Sequence, residues 1–321
     1  MDTLTQILSS LRLTGGVVID MKASGDFCLI SQFTRESCLR FFPVPGTIIG
    51  YHVVQSGRLF AKVDGAPPIE LHTGSVLVLP RNDRHLIYTR EGLEAVDADD
   101  LLVPGDAGRP STITIEGTGA PTAIFCGFLG MSAQRHPLFD SLPPMLALHH
   151  GGDARSDWVA SSLRYLSEDR QSPEVVARLA EFFVSEAIQR HMAEQYTEST
   201  GWAAGLSDPV VRRAIGLIHE RFAEDLDLEL LAREAGVSRS VLQERFVRFL
   251  GEPPMRYAGR WRMQVAANML RDGQEKTANV AYAVGFNSEA AFNRAFKREF
   301  GQPPGLWRRQ DALVTAPTPH A

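Results

Sequence analysis

The sequence predicts an α+β protein: an N-terminal antiparallel β-barrel or jelly roll, a helical middle that links and dimerises, and a C-terminal all-α tandem helix-turn-helix. Three observations predict it. Short apolar segments alternate with Gly, Pro and Asp turns from Val17 to about Cys126. Apolar residues at helical spacing take over after Pro143-Pro144. The last third holds one pattern written twice, Phe246, Gly251, Pro253 and Pro254 recurring fifty positions on as Phe296, Gly301, Pro303 and Pro304.

At 321 residues the chain suits two domains better than one core. No stretch approaches the roughly 18–20 apolar residues of a membrane span, and Met1 to Leu13 lacks both a basic start and a continuous apolar run. A cytoplasmic protein without membrane contact is therefore expected. The net charge of −5 argues against a nucleic-acid binder until it is divided: residues 1–206 hold 16 Lys+Arg against 24 Asp+Glu, whereas 207–310 hold 17 against 13. An acidic front joined to a basic back is the pattern expected if only the back meets phosphate. Cys28, Cys38 and Cys126 are an odd number without metal-type spacing. They read as small buried apolar residues of a reducing compartment, with a redox-reactive thiol as the alternative.

In the front half, Ile48 to Val54, Arg58 to Val63, Ser75 to Leu79 and Ala123 to Phe128 read as strands, separated by turns at 55–57, 64–65 and 72–74. A closed barrel of such strands has an interior that can hold a small ligand or a metal. The run Tyr51 to Gly57, followed by Gly74 to His85, resembles the two signature motifs of the cupin family. The second motif has Gly74, Pro80 and His85 in place, with Asn82 where a glycine is usual. The first lacks the family's H-x-H pair and glutamate, so the ligand set of metal-dependent cupin enzymes is absent. Strand alternation still points His52 inward. His52 and His85 are therefore candidates for an effector or reduced metal site, imidazole being a donor suited to zinc, copper or iron; the other reading is a hydrogen-bonded pair inside the barrel. Two ligands are few where closed sites use four, so no cofactor is expected apart from a metal at that pair. Arg58, Arg81 and Arg84 offer charge to an anionic effector or line a solvated strand edge, and His149 to Gly152 reads as a linker turn.

The middle carries helices over Asp157 to Glu168 and Pro173 to Tyr196, the second opened by Ser172 as cap and Pro173 at the first helical position. One apolar face covers the barrel; the other either buries a second subunit or packs within the chain. Thr197 to Gly201 breaks the helix and begins a linker in which Trp202 and Leu206 are placed to dock one domain on the other.

In the back third, Asp208-Pro209 opens a helix to about Phe222 with Val210, Ala214, Leu217 and Ile218 on its apolar face. Asp227 caps Leu228 to Ala235, Gly236 turns the chain, and Ser238 caps a helix to about Leu250. The second copy runs Thr277 to Val284, turns one residue longer at 285–287, and continues from Ser288 to Phe300. In such a unit the second helix enters the major groove. Leu242, Phe246 and Phe249 face inward, leaving Arg239, Ser240, Gln243 and Glu244 outward; Phe292, Phe296 and Phe300 face inward, leaving Glu289, Ala290, Asn293, Arg294 and Lys297 outward. Arg294 is the best guanine reader, because its fork matches O6 and N7. The spacer from Pro254 to about Arg271 is roughly 27 Å long as a helix, near the ~34 Å between successive major-groove faces. Arg256, Arg260 and Arg262 on it cannot all face one way, so some serve phosphates and others the interior.

Ala235 to Ser240, Gly251-Glu252-Pro253-Pro254, Arg260-Trp261-Arg262-Met263, Val284 to Glu289 and Phe296 to Pro304 together resemble the signature of the AraC family of bacterial transcription regulators. The resemblance implies double-stranded DNA as partner, with base-reading positions at Ser240, Gln243, Glu244, Glu289, Ala290, Asn293 and Arg294. Arg239, Arg260 and Lys297 join them as DNA-binding candidates. The front half is similar to the cupin-type sensor of one branch of that family, some members of which answer oxidants through cysteines, and this makes Cys126 the redox candidate. The expectation is a sequence-specific regulator, not an enzyme: homodimeric, responsive to a small-molecule effector or oxidant, and contacting RNA polymerase if an activator. Its expected domains are a sensor over 1–145, a dimerisation and linker segment over 146–206, the readers over 207–310 and a disordered tail over 311–321. The alternative is a cupin metalloenzyme of the oxygenase or isomerase class, tethered to a DNA-binding domain.

Overall fold

The structure is a computed structural model that describes residues 4, 7–8, 14–34, 47–105, 111–131, 137–149, 161, 173–194, 201–272 and 275–315. Its front comprises the strands Thr14–Ser24 (β1), Cys28–Ser31 (β2), Thr47–Ser56 (β3), Arg58–Val63 (β4), Ile69–His72 (β5), Val76–Leu79 (β6), His85–Tyr88 (β7), Val96–Asp97 (β8), Ser111–Ile115 (β9), Pro121–Met131 (β10) and Leu146–Leu148 (β11). They form a six-stranded sheet, β11-β6-β3-β10-β1-β9, and a five-stranded sheet, β5-β4-β7-β2-β8. Two sheets with one shared core are the jelly-roll arrangement, and the fold is mixed α+β. Most pairs are antiparallel as expected, but the edge strands β9 and β8 run parallel to β1 and β2.

Alternation explains which residues enter the sandwich. Val54 on β3, Ile124 on β10 and Met21 on β1 meet Leu59 and Ala61 on β4 and Ile87 on β7 between the sheets. The opposite face of β3, with Ile49, Tyr51 and Val53, is buried too, because helices cover it. Those helices are Pro137–Ser141 (α1) and Pro173–Glu194 (α2), whose Phe183, Val184 and Ile188 pack on that face. A strand covered on both sides reads as continuous apolar sequence, and β3 does. The sheet also extends past the expected boundary at Met145, since β11 pairs with β6 through Leu148. The helix expected over Asp157 to Glu168 lies, apart from Ser161, outside the described residues, as do Cys38 and His150 to Gly152.

The back is helical: Gly201–Ser207 (α3), Pro209–Glu220 (α4), Leu228–Glu234 (α5), Arg239–Leu250 (α6), Pro254–Asp272 (α7), Thr277–Ala283 (α8), Glu289–Phe300 (α9) and Pro304–Thr315 (α10). The linker that sequence places around Trp202 is itself a helix, α3. The last helix continues to Thr315, so residues 311–315, expected as disordered tail, are helical.

Candidate functional site

Caps set the two helix-turn-helix units. In the first, the Asp227 carboxylate accepts from the Leu230 amide at 2.7 Å to start α5, and Ser238 accepts from Val241 to start α6. In the second, Ser288 accepts from Ala291 to start α9. Leu242, Phe246 and Leu250 form the buried stripe of α6, and Phe292 and Phe296 that of α9. Phe249 and Phe300, both expected inward, are half-buried; Phe300 packs at a tilt on Phe296 with ring centroids 4.4 Å apart.

These stripes leave Arg239, Ser240, Gln243 and Glu244 exposed on α6, and Glu289, Ala290, Arg294 and Lys297 exposed on α9. Asn293 is half-buried, and its Oδ1 is buried without a hydrogen bond among the described residues. Arg260 sits differently from the other DNA-binding candidates. Its guanidinium lies 3.1 Å from the buried carboxylate of Glu252 and has about a fifth of its side chain exposed. Burial raises the Glu252 pKa, against the pull of Arg260 and Arg256. Of the three spacer arginines, Arg256 is the exposed one, while Arg262 donates to the Phe222 and Glu224 carbonyls and so holds the end of α4 against α7.

Two pairings were invisible to motif reasoning. Asp208 caps α4 with Oδ1, accepting from Val210 and Val211, while its Oδ2 lies 2.7 Å from Arg245 of α6, 37 positions away. His219 of α4 stacks on Trp261 of α7 at 3.5 Å, and its Nε2 lies 2.8 Å from the Tyr257 hydroxyl. Burial lowers the His219 pKa to about 3.

Inside the sandwich, His52 of β3 and His85 of β7 meet from opposite sheets with Nε2 atoms 2.7 Å apart. The hydrogen-bond network assigns the protons. His85 Nδ1 lies 2.9 Å from the Asp83 carbonyl, so it donates there and Nε2 is left as acceptor. His52 Nε2 must then donate, and His52 Nδ1 is a buried acceptor with no partner among the described residues. Burial holds both imidazoles neutral, His85 with a pKa lowered to about 4 and His52 with one well below the usual 6.5. Cys126 stands opposite His52 on β10. Asn82, the departure from glycine in the second motif, has φ of 52°, a left-handed conformation that asparagine tolerates. Its side chain clamps the Phe33 backbone, accepting from the amide and donating to the carbonyl at 2.7 Å.

A metal does not fit this donor set. Among the described residues no third His, Cys, Asp or Glu converges with the pair, and metal sites supply at least three protein ligands. The two imidazoles instead bond each other through Nε2, with His52 Nδ1 left as an acceptor without a partner among the described residues. An anion site is equally unsupported: Arg58 pairs with Glu70, Arg81 with Asp83 and the Leu142 carbonyl, and Arg84 is exposed. Burial raises the Cys126 thiol far above its usual value, with Asp20 adding to the shift. Since the thiolate is the oxidant-reactive form, this geometry disfavours the redox role expected of Cys126.

Residues 2–193 match the cupin family and residues 231–310 a helix-turn-helix domain family. An AraC-like transcription regulator of Streptomyces antibioticus is 30% identical over 317 residues, covering 96% of this chain and 99% of that one. The transcriptional regulator AlkR of Acinetobacter baylyi is 22% identical over 325 residues, covering 97% and 100%. A crystal structure of an AraC-type transcriptional regulator from Chromobacterium violaceum aligns with 36% of this chain and 97% of that one, at 27% identity and a TM-score of 0.32. The chain belongs to the AraC-like transcription regulators, and joins a cupin-type N-terminal domain to a DNA-binding helix-turn-helix domain.

Proposed function

We propose that this regulator reads a two-part DNA site with α6 and α9 and changes that reading when a neutral small molecule enters the jelly roll. The observation that carries the reading is the pair of capped recognition helices, each with its polar face exposed and its apolar stripe buried. On α6 the base-reading set is Ser240, Gln243 and Glu244, with Arg239 placed for phosphate. On α9 it is Glu289, Ala290, Asn293 and Arg294, with Lys297 placed for phosphate. A neutral effector follows from the interior, where His52 and His85 are uncharged and the candidate arginines are engaged or exposed. The protein acts without catalysis, as a homodimer in the cytoplasm, and meets RNA polymerase where it activates. The test is selection of duplexes from a random-sequence library by the full chain, followed by footprinting. Recovery of a two-part sequence whose protection depends on salt supports the reading; failure to enrich any sequence overturns it. The metalloenzyme alternative would regain ground only if purified protein held iron or manganese tightly.

A further inference from the structure

The two helix-turn-helix units have unlike attachments. One continuous apolar cluster runs from Tyr51 and Val53 of the sensor sheet through Phe183 of α2 and Trp202 and Leu206 of α3 into Phe246 of α6. The second unit has a separate cluster, in which Met263 and Leu270 of α7 pack with Val280, Phe292, Phe296 and Trp307. The joint is α3, which touches α1 and α2 on the sensor side and α4 and α6 on the reader side. Gly205 brings the α3 backbone so close to α6 that a Cβ there would lie 2.9 Å from Phe249 Cβ. That atom is anchored to the α6 backbone and cannot swing aside. At the other end of the joint, Asp208 spans from the α4 cap to Arg245 of α6. Both contacts grip the side of α6 away from Arg239, Ser240 and Gln243, so the reading face stays exposed.

We propose that Gly205 and Asp208 are positioning residues for the first recognition helix, and that the sensor acts on DNA through the first unit while the second serves as a fixed anchor. This rests on the reading of α6 and α9 as base readers, and its test has one arm that needs no DNA. Hydrogen exchange on the full chain compares the wild type with Trp202→Ala and with Gly205→Leu. Loss of the buried Trp202 contact, or overpacking at Gly205, should speed exchange in α6 by at least about tenfold and leave α9 within about twofold of the wild type. Equal changes in both helices, or an unchanged α6, would overturn the coupling. Asp208→Ser guards against a variant that fails to fold, since serine keeps the α4 cap and removes only the tie to Arg245.

The second arm uses the duplex selected by the wild-type chain, with each half-site altered in turn. Asp208→Ser should lower discrimination at the α6 half-site by about fivefold, in line with a partly exposed ion pair, with the α9 half-site unaffected. Asp208→Asn, whose single side-chain oxygen is taken by the α4 cap and whose NH2 then faces Arg245, should lose about as much as Asp208→Ser. A parallel fall at both half-sites marks a merely structural role and refutes the positioning. If selection yields no sequence, the DNA reading fails, and exchange still decides whether α6 follows the sensor.

Discussion

Gly236 and Gly285 occupy the same place in the two units, and both hold left-handed backbone, with φ of 72° and 83°. Alanine at either should cost about 1–2 kcal/mol, because Cβ meets the following carbonyl in that conformation. Around Gly236 nothing lies within 4 Å of a built Cβ, so the cost ends there. At Gly285 the Cβ would stand 2.3 Å from the Ala223 carbonyl oxygen and 2.9 Å from its carbon, and backbone cannot rotate away as a side-chain tip would. Overpacking of this kind adds about 1–3 kcal/mol, so Gly285→Ala should cost about 3 kcal/mol in all and Gly236→Ala about half that. For a unit of this size 3 kcal/mol lowers the melting temperature by roughly 12–24 °C. Thermal unfolding of the full chain, followed by hydrogen exchange in α5–α6 and α8–α9, separates the two variants. Equal losses would show that the turn of the second unit does not pack on the segment after α4, and that the seam between the units is misdescribed.

Three further outcomes follow from the same geometry. The His85 pKa near 4 lies below the roughly 6.5 of an unfolded histidine, so on acidification the unfolded chain takes up a proton that the folded one refuses. The sensor is then most stable above pH 6.5 and loses about 2 kcal/mol from His85 by pH 5; His85→Gln should flatten that slope in urea titrations across pH 5–7, and an unchanged slope would place the proton uptake elsewhere. Arg294→Ala should weaken binding to the selected duplex by about 1–3 kcal/mol and Ser240→Ala by less, while Lys297→Ala should reduce the salt slope by about one; equal losses at Arg294 and Ser240 would contradict the more basic outer face assigned to α9. Native protein should leave Cys126 unlabelled by a maleimide over hours while denatured protein labels at once, and rapid native labelling would restore the oxidant-sensing role.

What sequence made legible was whatever a local pattern encodes. Asp227 and Ser238 announce helix starts, because a cap is a short-range chemical event, and each caps the helix it is expected to cap. Alternation placed His52 inward because period two leaves no other choice once Tyr51 and Val53 face the helices. Long-range pairings left no local trace. Nothing near Arg260 distinguishes it from Arg256, yet Arg260 is drawn to 3.1 Å from buried Glu252 with 19% of its side chain exposed, whereas Arg256 stays at 3.8 Å and 75% exposed. Phe249 was assigned to the core because its apolar character is local, but its half-burial depends on α3, read from sequence as an irregular linker. Sequence likewise does not single out β1, β2, β5, β7, β8, β9 or β11: six of these run only two to five residues, too few for periodicity to register against turns, but β1 is eleven residues long.

The duplicated pattern is silent on how each unit is attached to the sensor. Two copies of a motif suggest two equivalent readers, yet equivalence of fold is not equivalence of attachment. The first unit must satisfy apolar surface offered by the sensor as well as its own, and its residues show it: Gly205 admits Phe249 where a larger side chain would hold the helices apart. The second unit closes its core with Trp307 from the last helix and, among the described residues, shares no buried apolar cluster with the sensor. An effector can shift an equilibrium only by its difference in affinity for the two states, so binding in the jelly roll changes DNA reading only where the packing differs between those states. The shared cluster through α2 and α3 is where such a difference can be expressed. Under the proposed coupling, the separate cluster leaves α9 folded whatever the sensor contacts, so an effector-free chain would still hold DNA through the second unit.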